Sequence, residues 1–180
     1  MKNDQQIIEQ TKKWINDVVI GCNFCPFAAN VVKQNSVHYQ VERMETPGIW
    51  KKTLLTELKR LDTDKSIETS FIIFSYSFEK FDAYLGMLSL AEKLLIKNGY
   101  EGIYQIASFH PLYQFAGTNE NDASNYTNRS IYPMLHLLRE ESIDKALANY
   151  NDPHEIPERN INFAKEKGVK YMKMLRDACL

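Results

Sequence analysis

Phe109–Glu141 reads FHPLYQFAGTNENDASNYTNRSIYPMLHLLREE, and the division of this stretch into elements decides the fold. It opens at the end of an apolar strand pattern and crosses a long segment with no hydrophobic period. It then enters a helix through Ser130-Ile131-Tyr132-Pro133, with Pro133 suited to the first turn and the helix running to about Glu141, where it either continues or restarts after Ser142. Residues 111–129 make a longer connection than packed domains usually tolerate without a purpose. Tyr113, Phe115 and Tyr126 anchor it in a way a disordered linker would lack, so order over the strand ends is expected.

Working outward, Gly102–His110 (GIYQIASFH) is a strand, Glu68–Tyr76 (ETSFIIFSY) is apolar enough for a sheet centre, and Ser36–Arg43 is shorter and partly alternating. Between them lie two helices. One starts after Thr46-Pro47-Gly48 with Trp50, Leu54, Leu55, Leu58 and Leu61 on one face. The other turns Phe81, Tyr84, Leu85, Leu88, Ala91, Leu94 and Leu95 inward and stops at Asn98-Gly99. Strands separated by helices of this length read as two crossover units with parallel neighbours, so all three strands end on one edge of the sheet. Ligand sites in open α/β sheets lie outside such ends, here marked by Glu42, Arg43, Ser75 to Ser77 and His110.

Residues 4–20 carry Ile7, Ile8, Thr11, Trp14, Ile15, Val18 and Val19 at helical spacing and stop at Gly21; a turn with two thiols follows, Gly21-Cys22-Asn23-Phe24-Cys25-Pro26-Phe27. At the other end Pro153 and Pro157 bracket a turn, and a last helix buries Ile161, Ala164, Tyr171, Met172 and Leu175. The expected fold is α/β (or α+β), one domain over residues 1–180. Its single layer is a small, mainly parallel sheet of three strands or slightly more, packed by about five helices.

The totals narrow the function classes. Hydrophobic residues at 44% and charged residues at 25% match a soluble globular chain. With 22 Lys and Arg against 23 Asp and Glu, the net charge of −1 gives no general footprint for nucleic acid or an anionic membrane. No apolar run has the length of a membrane span and the start lacks a signal-peptide core, so a cytoplasmic location is expected. Three Cys cannot all pair with one another, which fits reduced thiols.

Candidate chemistry centres on a few side chains. Cys22-x-x-Cys25 lacks the second pair of a zinc ribbon and follows a helix where a redox pair would follow a strand. Cys25 alone is held in a defined turn, and as a nucleophile it would need a base or cation such as His110, His136 or Arg129. His110 ends a strand before Pro111 and could be a base, a ligand or a substrate donor; a His satisfied by a loop carbonyl would look the same. His136 and Glu140, at i, i+4 on the expected helix, would share a face with Arg139 nearby. Cys25, His110 and His136 together would make an open three-ligand site for a divalent transition metal.

Asn125, Thr127, Asn128, Arg129 and Ser130 precede the expected helix start, where backbone N–H groups and a guanidinium favour carboxylate or phosphate. Alternatively, Asn128 or Ser130 merely caps the helix while Arg129 ties down the loop. Tyr113 and Arg139 complete the expected substrate-binding set. Gly117 lacks the neighbours of a P-loop, and Glu68 starts a strand at the far edge from His110.

Three motifs carry a resemblance over nearly the whole chain: Ile20-Gly21-x-Asn23-x-Cys25-Pro26-Phe27, Phe109-His110-Pro111-x-Tyr113-Gln114-Phe115-Ala116-Gly117-Thr118, and Asn125 to Glu140 with its Asn-Tyr-Thr-Asn-Arg-Ser start. Together with the Asp152-Pro153 to Asn160 turn, they strongly resemble the uncharacterised bacterial family domain of unknown function 1415. The resemblance implies that Cys25, His110, Asn125, Arg129 and His136 occupy the family's signature positions, and it carries no activity. The family pattern has an apolar residue at Cys22, which weakens the Cys-x-x-Cys reading and leaves Cys25.

The leading expectation is an intracellular enzyme for a small polar or anionic substrate, a Cys/His-dependent or metal-dependent hydrolase or transferase. Cys25, His110 and His136 would react, and Asn125, Asn128, Arg129, Tyr113 and Arg139 would hold the substrate. A non-catalytic protein binding metal or ligand through Cys25, His110 and His136 is the alternative. The third is an interaction module that presents Tyr113, Phe115 and Tyr126.

Overall fold

The computed structural model describes residues 2–43, 46–148 and 152–180. In chain order the described residues form α1 (Asp4–Trp14), which continues as a π-helical segment (Ile15–Ile20), α2 (Ala28–Lys33), β1 (Val37–Glu42), α3 (Ile49–Thr63), β2 (Thr69–Phe74), α4 (Phe81–Lys97), β3 (Tyr104–Phe109), a 3-10 turn (Ala123–Thr127), β4 (Met134–Arg139), α5 (Glu140–Ala148), a second 3-10 turn (Pro153–Glu155) and α6 (Ile156–Asp177).

The fold is α/β with a single four-stranded sheet in the order β1-β2-β4-β3. β1 and β2 are parallel, and β4 lies antiparallel to both of its neighbours. β1, β2 and β3 therefore run the same way and end on one edge, but β2 and β3 do not touch. The sheet is mixed because the stretch entered through Pro133 is a strand and not the expected helix.

Met134, Leu135 and Leu137 show why. All three are fully buried, on alternating faces of a strand covered on both sides. Burying each is worth about 2 kcal/mol, while helix propensity separates ordinary residues by at most about 0.7 kcal/mol. Tertiary burial therefore overrides a local sequence rich in helix formers.

Alternation along the strands sorts the core into two layers. Val41, Phe71, Ile73 and Met134 face α1, its π-helical continuation and α6, where Ile7, Trp14, Ile15, Val18, Ala164 and Met172 close one layer. Ile72, Phe74, Leu135 and Leu137 face α3 and α4, with Trp50, Leu54, Leu58, Leu61, Tyr84, Met87 and Ala91. β2 is buried at every residue. Two inward expectations fail at the surface: Leu85 is 42% exposed, with Met87 buried on that helix instead, and Tyr171 is 40% exposed.

α1 starts with a capping box, in which the Gln6 N–H donates to Asn3 Oδ1 (2.9 Å) and the Asn3 N–H to Gln6 Oε1 (3.0 Å). Its π-helical continuation ends where a Cβ on Gly21 would sit 2.3 Å from the Asp17 carbonyl oxygen, so glycine is required there. α6 breaks at Gly168, whose φ of 78° is open to glycine at little cost.

Candidate functional site

His110 follows β3 at the edge where three strands end, and it is fully buried. Its Nδ1 accepts from the Leu112 N–H (3.0 Å), which puts the proton on Nε2, and Nε2 donates to the Phe78 carbonyl (2.8 Å). Phe81 and Tyr84 flank the ring at 5.1 and 5.0 Å. Burial pulls its pKa below the ordinary value, against the smaller opposite effect of the Phe78 carbonyl. Both nitrogens are spent on backbone, so the imidazole is a brace between the β2–α4 and β3–β4 connections. Phe78 holds a left-handed φ of 58°, a conformation that the bond from His110 helps to fix.

The long connection after β3 is ordered, and its polar residues hold it together. Asn125 is fully buried; its Oδ1 accepts from the Phe115 N–H (2.9 Å) and Thr118 Oγ1 (2.9 Å), and its Nδ2 donates to the Asn119 carbonyl (2.8 Å). Arg129 donates from Nε to the Tyr113 carbonyl (2.9 Å) and from Nη2 to the Glu120 carbonyl (2.8 Å), while its guanidinium lies 4.9 Å from the Tyr126 ring centre. Asn128 Nδ2 reaches the Ser108 carbonyl (3.3 Å). α6 closes the loop, with the Arg176 guanidinium 5.4 Å from the Tyr126 ring centre and its Nη1 donating to the Pro111 carbonyl (3.0 Å). Tyr113 packs against Phe81 and Phe115. Tyr126 is buried and Tyr113 and Phe115 are half-buried, which counts against an aromatic docking loop.

His136 lies mid-strand on β4, so it shares no helical face with Glu140. It pairs across the sheet with Phe71 and Ala107. Its ring is flat on Phe71 and its Nε2 is hydrogen-bonded to Thr69 Oγ1 (2.6 Å). Burial pushes its pKa down to about 3. Arg139 donates from Nη2 to the Leu61 (2.5 Å) and Ile67 (2.9 Å) carbonyls and from Nη1 to Tyr104 Oη (3.1 Å). Its fork closes the α3–β2 connection and is not presented to a ligand.

Cys25 is half-buried in the turn before α2, a turn latched to α6 by Arg159 on the Asn23 carbonyl (2.5 Å) and Asn160 on the Phe24 carbonyl (2.7 Å). Cys22, Cys25 and Cys179 are free thiols, and burial raises the pKa of Cys22. Among the described residues no three His, Cys, Asp or Glu side chains are arranged to hold a metal ion. Cys25, His110 and His136 thus do not form the expected three-ligand group.

The carboxyl edge does contain a cleft, of about 600 Å³, lined by Lys2, Gln6, Ile7, Ser75, Tyr76 and Tyr132. Ser75 and Tyr76 continue β2, Tyr132 leads into β4, and the rest come from the start of α1. Ser75 Oγ is buried with no hydrogen-bond partner, a state shared among the described residues only with Trp14 Nε1. Tyr132 Oη donates to Gln10 Oε1 (2.5 Å), and the Lys2 ammonium donates to Gln10 Oε1 (3.0 Å) and to Tyr132 Oη (3.4 Å). Of the strand-end residues Glu42, Arg43, Ser75 to Ser77 and His110, the cleft takes Ser75 and Tyr76; the strand-end rule does not point to Lys2 or Tyr132, which reach the edge through the path of α1 and β4.

A second polar cluster lies at the opposite edge. Glu57, 1% exposed, accepts from His38 Nδ1 (2.7 Å), Ser70 Oγ (2.6 Å) and Arg60 Nε (3.1 Å). Burial pushes Glu57 up, but these donors together outweigh it and hold the carboxyl below its ordinary value. Ser70 Oγ lies 3.4 Å from His38 Nδ1, but it gives its proton to the Glu57 carboxylate and is fully buried.

The family described as "Protein of unknown function (DUF1415)" matches residues 6–174. The chain belongs to this DUF1415 family. No curated protein and no solved structure matches it. For this DUF1415 member no helix among the described residues is long and apolar enough to cross a membrane.

Proposed function

We propose that this protein binds a small polar or anionic molecule in the cleft at the carboxyl edge of the sheet. One observation carries the reading: Ser75, whose buried hydroxyl has no hydrogen-bond partner, lines a cleft sized for a small molecule, at the edge where open α/β sheets bind ligands. Leaving a buried polar group without a partner costs about 1–3 kcal/mol, and a ligand group bonded to Ser75 would recover part of that. Three free thiols support a reducing, cytoplasmic setting.

The test is amide shift mapping on labelled protein against a panel of small carboxylates, phosphates and neutral polyols. Saturable shifts at Ser75, Tyr76 and Tyr132, weakened in Ser75→Ala, are expected. Saturable binding that maps away from these residues would move the site elsewhere.

A catalytic reading is second, and it rests on Cys25, whose half-exposed thiol is committed to no scaffold bond while its turn is held at two carbonyls by α6. Turnover lost in Cys25→Ser with the melting temperature unchanged would support it. Full activity in that variant would remove it.

A further inference from the structure

We infer that Lys2 is the specificity-determining residue of this cleft, selecting ligands that carry an anionic group of the carboxylate, phosphate or sulfonate kind; this rests on the reading of the cleft as the ligand site. Lys2 is the cation among the lining residues. Its ammonium meets only neutral acceptors, the Gln10 amide oxygen and the Tyr132 hydroxyl, and no carboxylate pairs with it among the described residues. The neighbouring cation is already neutralised, because Arg43 pairs with Asp4. Among the described residues, an anion entering the cleft therefore meets one positive charge that no carboxylate pairs, and it is Lys2.

The backbone delivers that charge to a fixed place. The Lys2 carbonyl accepts from Arg43 Nη2 (3.2 Å) and from Tyr76 Oη (3.3 Å), while its side chain reaches Tyr132 on the other wall. Residue 2 thus spans the cleft between the ends of β2 and β4, with its ammonium 5.8 Å from the centre of the Tyr132 ring. The acceptors it now uses are weak compared with an anion. The ammonium is the sole charge in those two bonds, whereas a ligand anion adds the attraction between opposite charges, so exchange of Gln10 or Tyr132 for a ligand oxygen is favourable.

A matched pair of probes separates charge from shape: 8-anilinonaphthalene-1-sulfonate and N-phenyl-1-naphthylamine, one aryl framework with and without an anionic group. Both are titrated into wild type, Lys2→Met and Lys97→Met, with amide shifts at Ser75, Tyr76 and Tyr132 reporting the site. Lys2→Met should weaken the sulfonate about 3- to 10-fold and leave the neutral probe within about twofold. Lys97→Met, with the same change in net charge, should alter neither. Equal losses for both probes in Lys2→Met, no loss for either, or the same loss in Lys97→Met would overturn the assignment to Lys2. Shifts absent from Ser75, Tyr76 and Tyr132 in wild type would instead sink the cleft itself.

Discussion

The imidazole of His136 lies flat on the ring of Phe71, with centroids 3.9 Å apart and planes 9° from parallel, and Phe71 stacks in turn on Tyr39 at 5.9 Å. Three rings thus form a row across β1, β2 and β4, and a proton on the last of them would be poorly solvated. His136 stays neutral in the folded chain down to about pH 3, whereas an unfolded His takes up its proton near pH 6.5. Protons then favour the unfolded state between these limits. Stability from this group is whole above about pH 6.5 and falls as pH drops toward 3, by at most about 1.4 kcal/mol per pH unit.

His110, also held below its ordinary value, acts in the same direction. Glu57, a carboxyl held low, adds stability that is present above its unfolded pKa and lost as pH falls through its lower folded one. The melting temperature should fall steadily from pH 7 to pH 4. His136→Phe keeps the ring row and removes one titration, so its melting temperature should fall less over that range. Parallel curves for variant and wild type would show that His136 is not a source of the acid sensitivity.

Asn125→Ala should cost about 2–4 kcal/mol, because it orphans the Phe115 N–H and removes one of the two partners of the Thr118 hydroxyl and of the Asn119 carbonyl. Amide exchange should quicken across residues 111–129 first. Exchange that quickens uniformly over the sheet would mean that the loop does not open as a unit.

His110→Ala should cost a similar amount, about 2–4 kcal/mol, from a cavity and from two orphaned backbone groups at Phe78 and Leu112. Denaturant titration measures it. A loss under about 1 kcal/mol would show that the brace is dispensable and return His110 to the list of reactive candidates.

Arg139→Lys keeps the charge but cannot reach Leu61, Ile67 and Tyr104 together. We expect a loss of about 1–3 kcal/mol, read from the denaturation midpoint. A neutral outcome would mean that the charge alone, and not the planar fork, closes the α3–β2 connection.

Much of the fold was legible because its signals are local. The apolar stripe of α1, the run ETSFIIFSY and the Gly48 start of α3 each state their own element. β4 was not, because Met-Leu-His-Leu-Leu-Arg carries no alternation when both faces are buried, and Pro133 imitates a helix start. The site was harder for a different reason. Asn125, Arg129 and His110 are the residue types that hold a ligand and equally the types that hold a loop, and only hydrogen-bond partners distinguish the two uses. The cleft joins Lys2 to Ser75 and Tyr132, separations that no local pattern reports.

The position of β4 sets an order of events. β2 and β3 flank an empty slot until residues 134–139 fill it, so a growing chain that has emitted everything up to β3 still cannot close its sheet. β2 and β3 wait with open edges for the strand that follows, and residues 134–139 must be translated before the sheet around them can be stable. Ribosome pausing ahead of Met134 would therefore expose this protein to chaperones and proteases, and a fast passage through that region would protect it.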